Sequence, residues 1–160
     1  MNIRPAQIQD AKAISLLIKG LSHFFTAHPQ GLGAEAFLQS VEPNAIEAKI
    51  MDASFSYFVA FSGSELAGLI ALRNKSHLYH LFVASSFQGQ GLSRQLWNYA
   101  LKATSSEENT TTFTVNSSIY AQGVYEKLGF KAQGVAIETK GIVFIPMSLE
   151  INCTNYYQHQ

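Results

Sequence analysis

The sequence predicts one domain of the mixed α/β class, an α+β arrangement in which a mixed sheet carries helices on both faces. Three observations predict it. The apolar period is helical up to about Met51, alternates from Phe55 onward, and then switches between the two. The resulting order is a strand, two helical stretches, three strands, and then helix, strand, helix, strand, strand, so antiparallel strands come first and a strand–helix–strand unit follows. The chain has 160 residues, 47% hydrophobic and 14% charged, which suits a single compact core. Residues 1–151 read as that domain, and residues 152–160 as a polar tail that frays.

Each element has a local reason. Ile3 to Pro5 is a short strand ended by proline, which has no N–H for a ladder. Asp10 precedes Ala11, Ile14, Leu17, Ile18 and Leu21, whose spacing makes one apolar helical stripe running to about His23 or Thr26. Pro29, Gly31 and Gly33 mark a loop. Ala34 to Met51 is a helix broken near Pro43, or two short ones, because the residue before a proline is pushed out of the α region. SYFVAFS, the turn Ser62 to Ser64, and ELAGLIALRN form a hairpin, and HLYHLFVA follows as a further strand. Alternation along it sets His77, Tyr79, Leu81 and Val83 on one face and His80 on the other. QGQGLSRQLWNYALKA opens with glycines and continues as an amphipathic helix, TTFTVN is a strand, and Ile119 to Leu128 is a helix closed by Gly129. Strands at Phe130 to Gly134 and Ile142 to Ile151 complete the set.

Eleven basic residues balance eleven acidic ones, and a pI near 7.0 gives no long-range pull toward phosphate backbones or anionic lipid. Nucleic acid and membrane are therefore not expected partners. Cys153 is the single cysteine, so an intramolecular disulfide and a Cys-rich zinc site are excluded, and no metal is expected. The N-terminus lacks a basic region followed by an apolar one, and no stretch approaches about 20 apolar residues. The expectation is a cytoplasmic protein, monomer or homodimer.

The sharpest local feature is Gln88, Gly89, Gln90, Gly91, Leu92, Ser93 and Arg94, placed where a strand ends and a helix begins. Glycines there let backbone approach a ligand, and the N–H groups of a first helical turn face an anion such as a pyrophosphate. The plainer alternative is a strand-to-helix turn that needs glycine only for its shape. A Walker A loop is excluded, since Gly-Lys-Ser/Thr is missing, and Arg94 stands where a dinucleotide-binding fingerprint has its third glycine.

With IRPAQIQDA at the start, LFVASSFQGQGLSRQL in the middle and VYEKLGF later, the chain resembles the GCN5-related N-acetyltransferase (GNAT) superfamily over nearly its whole length. Gln88, Gly91 and Ser93 occupy the fixed places of the family's Gln/Arg-x-x-Gly-x-Gly/Ala signature, with serine replacing the usual small residue. The resemblance implies a central, mostly antiparallel sheet with a splayed parallel strand pair. It further implies acetyl-CoA as cosubstrate, its pyrophosphate on the N–H groups from Gly89 to Arg94 and its pantetheine arm between the strands ending at Val83 and Asn116. Backbone at Leu81, Phe82 and Val83 would polarise the thioester carbonyl, and Asn116 would assist at its strand end. Tyr125 matches the tyrosine that protonates the departing thiolate; a phenol with an ordinary pKa of about 10 carries its proton near neutrality.

The acceptor implied is a small-molecule or peptide amine, attacked directly in a ternary complex. His77 falls where some members place a catalytic carboxylate, so it is the candidate base, relayed through Tyr79 and water, with His80 a lesser candidate. Cys153 has no activating neighbour in the sequence and is not expected to carry an acyl group. His23, His28, Glu35 and Glu42 lie in the helical insert that serves as a substrate wall. A longer acyl-CoA donor, or a CoA-binding sensor or assembly module without turnover, remain alternatives at this stage.

Overall fold

A computed structural model describes residues 1–105 and 110–152. Cys153 and the rest of the tail lie outside them. Among the described residues the strands are β1 (Asn2–Pro5), β2 (Phe55–Ser62), β3 (Glu65–Arg73), β4 (His77–Val83), β5 (Thr110–Ser117), β6 (Lys131–Ala132), β7 (Ile137–Thr139) and β8 (Ile142–Asn152). The helices are α1 (Ala11–Leu21), α2 (Glu35–Ser40), α3 (Pro43–Met51), α4 (Leu92–Thr104) and α5 (Gln122–Leu128). The sheet runs β1-β2-β3-β4-β5-β8-β6, with β7 paired to β8. All pairs are antiparallel except β4 with β5.

Two apolar layers cover the two faces. On one, Leu92, Leu96, Trp97 and Ala100 of α4 and Tyr125 of α5 pack on Ile70, Leu78, Val83, Val115 and Met147. On the other, Ile14 and Ile18 of α1 and Ile46 of α3 pack on Tyr57, Val59, Leu69 and Ala71. Arg4 joins β1 to the turn before α1 through a two-pronged contact with Asp10, at 2.8 and 3.0 Å.

The expected break before Pro43 is the gap between α2 and α3. Three features depart from the sequence reading. The helix expected from Ile119 begins only at Gln122, because the Ser118 hydroxyl accepts the Ala121 N–H (3.0 Å) and holds the preceding residues as a turn. A three-residue strand, β7, appears where none was expected, its residues all exposed and therefore without an apolar period.

The third departure is in β4. Leu78 pairs Leu72 and His80 pairs Ala71, so Tyr79 is an extra residue and forms a bulge. The simple alternation fails there. Tyr79 and Phe82 pack with the α1/α3 layer, while Leu78, Leu81 and Val83 join the α4 layer. His80 lies on the Tyr79 side, its ring 4.3 Å from that of Tyr79 and its Nδ1 3.2 Å from the Tyr57 hydroxyl.

The chain after α1 is fastened to the start of β8. Ala27 N–H donates to the Gly141 carbonyl (2.8 Å) and Val143 N–H to the Phe25 carbonyl (2.9 Å). Gly141 is close enough to Gly33 that a Cβ on it would lie 2.5 Å from the Gly33 carbonyl carbon, so only glycine fits. This fastening holds Phe24 and Phe25 beside the sheet.

Candidate active site

β4 and β5 pair at only two positions, His77 with Thr114 and Leu78 with Val115. Beyond them the strands separate, and a cavity of about 590 Å³ opens. Leu81, Phe82 and Val83 of β4 line one side, and Val124, Tyr125, Lys127 and Leu128 of α5 the other, with Ser118, Tyr120 and Ala121 before it. The turn into α4 supplies Gln88, Gly89, Gly91, Leu92, Ser93 and Arg94, and the end of α1 with the turn after it supplies Leu21, Phe24 and Phe25.

The turn is built for exposed amides. Gly91 caps α4 with φ +80°, a left-handed conformation that strains any residue with a Cβ, and Gly89 has φ +74°. A Cβ on either would meet nothing within 4 Å, so backbone shape alone selects glycine. The first helical bond runs from Gln95 N–H to the Gly91 carbonyl (3.1 Å), which leaves the amides of Leu92, Ser93 and Arg94 without helical acceptors. They end a helix of 13 residues whose dipole favours negative charge at that end.

Side chains brace the turn. Gln88 Nε2 donates to the Val83 carbonyl (2.9 Å), while Gln88 Oε1 accepts from the Tyr120 hydroxyl (3.2 Å). Arg94 Nη2 donates to the Lys127 carbonyl (2.6 Å). Gln90 turns back to the Ser86 carbonyl (3.1 Å) and does not line the cavity.

Tyr125 is only 5% exposed, with its ring edge-on to Phe130 at 5.8 Å. Burial pushes its hydroxyl pKa far above the usual phenol range. Among the described residues no buried side-chain nitrogen or oxygen lacks a partner, and Tyr125 is one of the residues that line the cavity.

The remaining expected residues stand elsewhere. His77 sits at the paired end of the splay with Nδ1 2.7 Å from Thr114 Oγ1, outside the cavity lining. Burial, and then the Arg73 charge, hold its pKa below the ordinary histidine value. Tyr79 is enclosed by Phe55 (5.1 Å), the Arg73 guanidinium (5.6 Å) and the Lys49 ammonium (5.9 Å), likewise outside the cavity, and burial raises its pKa. Burial and the Lys49 charge push His80 down to about 3, which keeps it neutral and a very weak base. Asn116 is exposed on β5, opposite Pro146, and does not line the cavity.

In the insert, Glu42 pairs with Lys19 (2.6 Å), Glu35 accepts the Gly33 N–H (3.1 Å), and His28 accepts the Gln30 N–H (3.2 Å). The wall this segment gives the cavity is instead Phe24 and Phe25. Sequence reasoning missed both, as it missed Tyr120 and Lys127. The available signal was a Phe-Phe pair directly after an amphipathic helix and beyond its stripe. Among the described residues no cluster of His, Cys, Asp and Glu could hold a metal, and no helix is long and apolar enough to cross a membrane.

A family model described as acetyltransferase (GNAT) domain matches residues 25–151. No curated protein matches the chain. Among solved structures, the chain resembles the PaiA N-acetyltransferase of Thermoplasma acidophilum in complex with coenzyme A, at 15% identity and TM-score 0.75 over 94% of this chain and 98% of that one. A GCN5-related N-acetyltransferase from Rhodopseudomonas palustris aligns at 17% identity and TM-score 0.73, covering 94% and 95%. The spermidine/spermine N-acetyltransferase of Vibrio cholerae aligns at 17% identity and TM-score 0.65, covering 98% and 96%. At these identities the three bear on the fold alone.

Proposed function

The chain belongs to the GNAT acetyltransferase family, and from that premise we propose that it moves an acetyl group from acetyl-CoA to a primary amine by direct attack in a ternary complex. The observation that carries this reading is the meeting, in one cavity, of a bare helix N-terminus, the open edge of β4 and Tyr125. The residues suit a CoA thioester. The amides from Gly89 to Arg94, with the Arg94 charge beside them, would hold its pyrophosphate. The N–H groups of β4 near Leu81 to Val83, turned from a β5 partner by the splay, would hold its arm and polarise its carbonyl.

The thioester supplies the activated acyl carbon. As the amine nitrogen bonds to that carbon and the C–S bond breaks, Tyr125 stands ready to give its proton to the sulfur. The amine must also lose a proton, which passes to solvent as the amide forms. His77 could accept it only through intervening solvent, and Tyr79, enclosed on the other face, supports no relay from the cavity.

Calorimetry with acetyl-CoA tests the reading, with an expected affinity in the micromolar range, roughly −8 kcal/mol. Thiol release in the presence of amines should accompany it, and should fall off as the donor's acyl chain lengthens. Absence of binding at saturating acetyl-CoA would remove the proposal, and binding without thiol release would leave a CoA-binding module.

A further inference from the structure

We infer that Tyr120 is a positioning residue for the cosubstrate, acting through Gln88: its hydroxyl orients the Gln88 side-chain amide, which holds the end of β4 and the glycine turn in the shape that receives acetyl-CoA. This rests on the acetyltransferase reading above and adds to it a residue that neither the turn nor β4 contains.

The turn needs a brace from outside its own backbone. Between the end of β4 and the start of α4 the chain passes through two left-handed glycines, Gly89 at φ +74° and Gly91 at φ +80°. Glycine takes up many other conformations at little cost, so the backbone alone does not hold such a turn. Gln90 reaches only back to the Ser86 carbonyl, and Arg94 ties α4 to α5. Gln88 ties the turn to β4, through Nε2 to the Val83 carbonyl at 2.9 Å.

Chemistry fixes the orientation of this amide. A backbone carbonyl only accepts, so the Gln88 nitrogen must face Val83 and the Gln88 oxygen must face away. That oxygen accepts the Tyr120 hydroxyl at 3.2 Å. A half-turn of the amide would set oxygen against the Val83 oxygen and lose the brace. A donor on Oε1 favours the bracing orientation, and by polarising the amide it strengthens the bond that Nε2 gives.

Tyr120 is itself held from two directions. The Ser118 hydroxyl accepts the Ala121 N–H (3.0 Å) and keeps the chain there in a turn, while the Phe24 ring stacks on Tyr120 with centroids 4.2 Å apart and planes at 19°. The residue is 60% exposed, so burial in the core does not account for its place. Its hydroxyl reaches from the chain after β5 to the chain after β4, the two strands that part to open the cavity. One hydrogen bond thus spans the splay.

The experiment is acetyl-CoA calorimetry and thermal melting on wild type, Tyr120→Phe, Gln88→Met and the double variant. Tyr120→Phe keeps the ring that stacks on Phe24 and removes only the hydroxyl. Its acetyl-CoA Kd should rise roughly three- to tenfold, the range of one hydrogen bond, with the melting temperature little moved. With an amine that supports thiol release, the KM for acetyl-CoA should rise in step and kcat should not fall with it. Gln88→Met should raise the Kd at least as far, and adding Tyr120→Phe to it should raise it no further, because the two side chains act as one unit. Where wild type binds acetyl-CoA, two results overturn the inference and leave the acetyltransferase reading standing. One is an unchanged Kd in Tyr120→Phe, which would make the ring a packing group. The other is a pair of effects that multiply in the double variant, which would mean that the hydroxyl meets the ligand independently of Gln88. Failure of wild type to bind acetyl-CoA overturns that reading and the inference with it.

Discussion

Arg94 Nη2 donates to the Lys127 carbonyl at 2.6 Å, which ties the first turn of α4 to the last turn of α5. Lys127 is the next-to-last residue of α5, where helix carbonyls lack intrahelical donors. The guanidinium therefore satisfies one helix end while standing beside the open amides of the other. It fixes the separation of the two helices that flank the cavity and leaves positive charge on its lining.

Arg94→Met should raise the acetyl-CoA Kd by roughly tenfold, about 1.4 kcal/mol, and flatten its dependence on salt. Arg94→Lys should restore the salt dependence but only part of the affinity, because an ammonium lacks the planar fork that reaches the carbonyl. Calorimetry at two salt concentrations reads both. Equal affinities in all three proteins would assign Arg94 to helix packing alone.

How legible the site was in the sequence differs residue by residue. The turn from Gln88 to Arg94 was legible as a turn because a left-handed backbone at a helix cap demands glycine, and that demand is written in residue type. Tyr125, which lines the same cavity, was singled out through VYEKLGF, and its part in the reaction is a proposal. His77 and Tyr79 were expected beside the reaction, and the structure sets both outside the cavity lining; Tyr79 is turned from the face that alternation gives it because alternation assumes an unbroken pleat, and nothing in HLYHLFV announces a bulge. Phe24 and Tyr120 meet across nearly a hundred residues of chain, a contact that depends on the Gly33 and Gly141 approach and on the Ser118 turn. Such pairings between loops leave no period to read.

His80 should make the protein sensitive to acid. Its folded pKa of about 3 lies below the ordinary histidine value, so its contribution to stability is fully present above about pH 6.5 and is lost as pH falls toward 3. The loss should approach about 1.4 kcal/mol per pH unit within that window. Asp10, whose pKa is also lowered, adds its own loss at lower pH, so the comparison must be with a variant. In His80→Gln the urea midpoint should fall less steeply than wild type between pH 6.5 and 4. Parallel curves would mean that His80 is protonated in the folded protein.

His77 offers a different pH test. Were it the base, turnover would rise with pH through a value below the ordinary histidine range, since burial and Arg73 depress it. Its position outside the cavity predicts otherwise. His77→Ala should leave the rising limb of kcat/KM where the amine's own pKa puts it. It should lower the melting temperature by a few degrees, through loss of the Thr114 bond and a cavity where the strands part. A limb that vanishes in His77→Ala would return the histidine to the reaction.

Tyr125→Phe removes one oxygen and keeps the ring that packs on Phe130. If the hydroxyl protonates the departing sulfur, turnover should fall by about 10- to 10⁴-fold, the span of general acid contributions, with acetyl-CoA affinity little changed. The pH profile supplies a second reading. Burial raises the Tyr125 pKa, so the phenol keeps its proton throughout the range in which the enzyme is assayed, and wild type should show no falling limb at high pH from its ionisation. The defect in the variant should also shrink with a donor whose thiol is more acidic, because a better leaving group needs the proton less. A defect of constant size across such donors, or a rate unchanged under conditions where chemistry limits turnover, would mean that Tyr125 shapes the cavity and gives no proton.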